Sequence, residues 1–77
     1  MVLSDLAVGS KALIKGFAKG DTAYRHKLLS MGLTRGTELL LERRAPLGDP
    51  LQVVVRGFSL SLRMKDAQMI CIEVLNV

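Results

Sequence analysis

Two periods of apolar residues alternate along this chain, and they predict two kinds of element. Over Thr37 to Arg44 the period is two, with Leu39 and Leu41 on one face and Glu38, Leu40 and Glu42 on the other. The same alternation sets Leu51, Val53 and Val55 against Gln52, Val54 and Arg56. It sets Phe58, Leu60 and Leu62 inward against Ser59, Ser61 and Arg63, and it places Ile70, Ile72 and Val74 inward in a last segment ending at Leu75. Successive strand side chains point to opposite faces, so each segment reads as a half-buried strand. Lys11 to Phe17 is a further strand. Its Ile14 and Phe17 are three apart, which Gly16 reconciles by hosting a bulge that turns both toward the core. From Asp21 to Met31 the period lengthens: Tyr24, Leu28 and Met31 stand at i, i+4 and i+7, one face of a helix. Asp21 suits its N-cap, Gly32 suits a left-handed C′ position, and Leu33 is placed to close on Leu28 in a Schellman arrangement.

The remaining segments are punctuation. Ser4 with Asp5, Leu6 and Ala7 predicts one helical turn, ended by Gly9, and Thr34-Arg35-Gly36 predicts a turn. Ala45-Pro46-Leu47-Gly48-Asp49-Pro50 predicts a stiff reversing loop, since two prolines fix their own φ. Residues near 64–68 have room only for a short helical turn. The expected architecture is therefore mostly β: five short strands, one short helix over about 21–31 and the turn near 64–68. In a single domain of this size such strands are expected to close into a barrel, because closure removes exposed edges.

Composition sharpens that picture. Of 77 residues 49% are hydrophobic but only 4% aromatic, so the core must be aliphatic. Cys71 is the one cysteine, which excludes an intrachain disulfide and suits a reducing compartment. The apolar runs are too short for a membrane helix and the N-terminus lacks the pattern of a secretory signal, so a cytoplasmic location without direct membrane insertion is expected. The net charge of +4 invites a nucleic-acid reading, but the basic residues are scattered and stacking aromatics nearly absent. A small basic nucleic-acid-binding barrel is an alternative; binding of nucleic acid is not expected.

Candidate chemistry is sparse. Nucleophilic catalysis needs a general base, and the chain's single histidine, His26, lies on the helix with nothing in the sequence to pair it with Cys71. Structural zinc takes four ligands, usually Cys or His, and the chain has two such residues. No cofactor is required; His26 can trap zinc or iron adventitiously, and a metal-binding or iron-sensing module is a second alternative. Neither a P-loop nor a dinucleotide fingerprint is present. By elimination the activity is binding.

The run Tyr24 to Leu33, then Gly36, the loop Ala45 to Pro50, Leu60-Ser61-Leu62-Arg63 and Ala67 before Ile70 together resemble the FeoA (ferrous iron transport protein A) family over nearly the whole chain. That resemblance implies an SH3-like β-barrel, not an enzyme, that assists the FeoB membrane iron transporter through its cytoplasmic GTP-binding part. Thr22 departs from the family's frequent proline at the helix start, which leaves the first turn less pre-organised. The helix and the proline loop are where the resemblance places a partner surface, which brings in Tyr24 and Asp49. Arg25, Lys27, Leu47 and the outward Leu40 and Val54 have no evident core duty and complete the candidate set. Recruitment to the inner face of the membrane by the partner is expected, and weak self-association is compatible with apolar strand faces.

Overall fold

In the computed structural model, residues 1–18 and 22–75 are described. Five antiparallel strands form one sheet: β1 (Lys11–Phe17), β2 (Glu38–Arg44), β3 (Leu51–Val55), β4 (Phe58–Leu62) and β5 (Ile70–Leu75), in the order β4-β3-β2-β1-β5. Helix α1 (Thr22–Ser30) follows β1, the short α2 (Met64–Ala67) joins β4 to β5, and a 3₁₀ turn covers Leu3–Asp5. The period-two residues bury as their spacing requires: Leu39, Leu41, Leu51, Val53, Val55, Leu62, Ile70 and Ile72 line the interior with Ala12 and Ile14. Leu3, Leu6, Leu28 and Leu33 plug it, and Phe17 packs on its margin. The core is aliphatic, as the composition requires.

Local chemistry sets the joints. The β1–β5 register shifts between Ile14 and Gly16, the bulge expected there. Gly32 has a φ of 89°, Leu33 N donates to Leu28 O (3.2 Å), and Gly32 N donates to Leu29 O (3.0 Å). Those two bonds and the left-handed residue are the Schellman motif, and they turn the chain from α1 into the core at Leu33. The proposed cap Asp21 lies outside the described residues, as does the side chain of Tyr24. Arg56 and Gly57 both have positive φ, 51° and 82°, and the strands they join pair with Val55 opposite Phe58. This is a two-residue hairpin whose turn matches the right-handed strand twist.

The sheet's hydrogen-bonded ladder does not close: β4 and β5 are its two edges, so the SH3-like form is barrel-like only loosely. Instead of a ladder, α2 spans the gap, packing against β4 and the 3₁₀ turn, with Ala67 fully buried. Two carboxylates hold that short helix. Asp66 Oδ2 accepts from Arg63 N (3.3 Å), and Asp49 Oδ1, reaching from the proline loop, accepts from Met64 N (2.9 Å). The N-terminus obstructs part of the other edge, where Val2 bridges to Cys71 and Ile72 N donates to Met1 O (3.0 Å).

Phe58 corrects the sequence expectation. It pairs with buried Val55 and so belongs to the inner face, yet it is 73% exposed. It stands at the end of an edge strand, where no neighbouring strand lies beyond it to complete the cover.

Candidate functional site

The outer face of the sheet carries the first group of candidates. Leu40 on β2 and Val54 on β3 are direct partners in register, both half-buried. They form the apolar floor of a shallow open groove of about 540 Å³, flanked by Lys11, Glu38 and Arg56. Arg56 is held there: its Nη2 donates to Thr34 Oγ1 (3.1 Å) and Thr37 Oγ1 (3.2 Å), and the two hydroxyls share a hydrogen bond of 2.7 Å. The groove wall is thus ordered by side chains of two separate segments, the turn before β2 and the turn after β3.

The proline loop carries the second group. Gly48 N donates to Ala45 O (2.7 Å) and Ala45 N to Pro50 O (3.0 Å), so the loop closes on itself and leaves Leu47 at its tip, 96% exposed. Asp49 in the same loop has a structural duty as well, the bond to Met64 described above. Behind the loop, Arg43 Nε donates to Gln52 Oε1 (3.0 Å) and Gln52 Nε2 to Glu42 Oε1 (3.3 Å). A second notch opens beside them, lined by Pro46, Pro50 and Ser61.

Helix α1 carries the third group. Arg25, His26 and Lys27 are all exposed, and the Arg25 guanidinium carbon sits 5.9 Å from the centre of the Phe17 ring. At that distance the cation contributes about 0.5–1 kcal/mol at an exposed site, enough to bias where Arg25 rests. The structure therefore brings Leu40 to Val54 and Leu47 to Asp49.

Sequence reasoning missed Arg44, Arg56 and Phe58. Arg44 Nη2 donates to Ser4 O (2.9 Å) and Leu6 O (2.7 Å), pinning the N-terminal turn to the end of β2. No local signal announces bonds between groups about forty positions apart. Gly57 between two alternating segments did mark a break, but the exposed place of Phe58 comes from the edge position of β4, which no local pattern shows.

For metal, the donor set does not fit a closed site. Among the described residues no three His, Cys, Asp or Glu side chains gather, whereas structural zinc takes four ligands. Cys71 is half-buried on β5, opposite Gly16.

A small antiparallel module of five short strands with a short helix before the last of them is in class an SH3-like domain. The chain belongs to the FeoA domain family, which it matches over residues 1–74, a family associated with ferrous iron transport. It is 33% identical over 76 residues to an Fe(2+) transport protein A/Fe(2+) transporter FeoB fusion protein of Porphyromonas gingivalis, matching 99% of this chain and 9% of that protein's length. The solution structure of a FeoA-like protein from Clostridium acetobutylicum superposes with a TM-score of 0.91 at 39% identity, covering 100% of this chain and 88% of that one. Zinc-bound FeoA of Stenotrophomonas maltophilia, described as a procaryotic SH3 domain protein and candidate ferrous iron transport activating factor, gives 0.82 at 25% identity, covering 95% and 89%. No helix among the described residues is long and apolar enough to cross a membrane.

Proposed function

We propose that this chain is a non-enzymatic accessory module of ferrous iron uptake that docks on the cytoplasmic GTP-binding part of a FeoB-type transporter. The observation that carries the reading is the fusion: a relative holds a matching domain and FeoB in one polypeptide. Covalent linkage raises effective concentration to the millimolar range for short linkers, and that helps only domains that act on each other. Where two such domains are not joined, that proximity must come from a docking surface.

The candidate surface comprises Tyr24, Arg25 and Lys27 on α1, Leu47 and Asp49 on the loop, and Leu40 with Val54 in the groove. Such a mixture of apolar centres and basic rims suits a protein partner carrying acidic groups. The module works at the inner face of the membrane, held there by its partner. It needs no cofactor of its own, and a divalent ion at the exposed His26 binds as a bystander.

Affinity capture with the FeoB cytoplasmic part from the same cell tests this. Capture by the unaltered chain, weakened when Leu47→Ser or Arg25→Glu is introduced, is the expected result. Absence of capture under crosslinking overturns the reading.

A further inference from the structure

We propose that the free edge of β4 is a strand-addition site for an extended segment of a protein partner, one that alternates apolar and polar residues between acidic ends. This deepens the docking reading above and rests on it. The argument begins with hydrogen-bond parity. Val55 and Phe58 flank a two-residue turn and form the hydrogen-bonded pair that closes the hairpin. Bonded and non-bonded pairs alternate along an antiparallel ladder, so Phe58, Leu60 and Leu62 spend their main-chain groups on β3. Ser59 and Ser61 therefore turn their N–H and C=O groups outward. Both residues are exposed, and β4 pairs with β3 alone among the described strands.

No residue within β4 guards that edge, and α2, which packs against β4, leaves Ser59 and Ser61 exposed. Natural edge strands are usually guarded by charge, proline or a bulge, and Phe58-Ser59-Leu60-Ser61-Leu62 has none of these. The opposite edge differs, since residues 1 and 2 bond to β5 at Cys71 and Ile72. An added strand on β4 would gain up to four main-chain hydrogen bonds from Ser59 and Ser61, the basis of β-augmentation.

The side chains specify the occupant. On the inner side of the edge, Phe58 is 73% exposed and Leu60 half-buried, so an incoming strand with apolar residues on that face covers them. Flanking the strand are Arg56 at one end and Arg63 and Lys65 at the other, all exposed, and no acidic residue occurs between Asp49 and Asp66. Carboxylates at both ends of the partner segment complement this charge and fix its register.

The probe is a capped synthetic peptide alternating valine and threonine, with a pair of aspartates at each end. Amide hydrogen exchange is followed on the full chain with and without it. The expected result is exchange slowed about tenfold or more at Ser59 and Ser61, with the ladder-bonded amides of Phe58 and Leu60 little changed. Ser59→Pro removes one outward N–H without touching the β3 ladder and abolishes binding, its fold checked by circular dichroism. A peptide N-methylated on its bonding edge must also fail, a control that does not depend on any variant folding. Arg63→Glu with Lys65→Glu weakens binding about three- to tenfold at low salt.

No binding, or binding that leaves the Ser59 and Ser61 amides exchanging as before, overturns the inference. Protection that rises with protein concentration and no peptide identifies a second copy as the occupant and overturns the partner assignment. If Ser59→Pro captures the FeoB cytoplasmic part as well as the unaltered chain does, the edge is not the transporter's dock and this inference fails alone. If the unaltered chain captures none, the docking reading fails, and the peptide experiment still decides the edge.

Discussion

Replacing Arg44 by methionine removes the guanidinium while keeping the length and packing of the stem. In the native chain Nη2 donates to two carbonyls at once, Ser4 O at 2.9 Å and Leu6 O at 2.7 Å, in a part-buried setting. A hydrogen bond to a charged group contributes about 1.5–3 kcal/mol, and here one nitrogen serves both acceptors, so the pair together is worth about 2–3 kcal/mol. Leu6 is buried at 2% exposure, which limits how far water can replace the lost donor at its carbonyl. A domain of this size has roughly 4–11 kcal/mol of total stability, so the loss is a substantial fraction. At about 4–8 °C per kcal/mol, the melting midpoint falls by roughly 10–20 °C. Urea unfolding should show a lower midpoint with an unchanged slope, since the surface exposed on unfolding is the same. The Ile72 amide, which bonds to Met1 O, should exchange faster because the N-terminal turn is no longer anchored. A change below about 0.5 kcal/mol, the range of an ordinary surface substitution, would refute the assignment of Arg44 as the anchor.

Three further outcomes follow from single residues. Gly32→Ala forces a side chain onto a φ of 89° and should cost about 1–2 kcal/mol in urea unfolding, with no gain from filling space because nothing lies near the added Cβ. Leu62→Ala should cost about 2–5 kcal/mol while Phe58→Ser on the same strand changes stability by less than about 0.5 kcal/mol; equal losses would mean that Phe58 is part of the core after all. Asp49→Ala should cost about 1 kcal/mol and raise hydrogen exchange at Met64 first, as the carboxylate that holds the start of α2 is lost.

The strands were legible because their chemistry is local. Leu39, Leu41, Leu51, Val53 and Val55 all face inward as period two requires, and Gly16 and Gly32 mark the bulge and the helix end where backbone geometry demands them. Phe58 was misplaced because alternation gives the face of a residue but not whether anything lies beyond it. The edge position of β4, a property of sheet order, decides that. Closure was expected from strand number, whereas the gap is spanned by α2, whose hold on the loop passes through Asp49, fifteen residues away in sequence. Of the candidate surface, the contact of Leu40 with Val54 follows from strand register, and the exposure of Leu47 from a loop that bonds to itself. The anchoring roles of Arg44 and Arg56 were not legible, since side-chain bonds across 19 to 40 positions leave no periodic trace.

The unequal treatment of the two sheet margins also limits assembly. Fibrous growth requires each molecule to offer a receptive margin on both sides, so that every addition exposes another. Here the first two residues occupy part of one side, at Cys71 and Ile72, leaving β4 as the more accessible flank. Whatever strand lands there uses up that flank, and the part-occupied opposite side disfavours further addition, so a pair is favoured over a polymer.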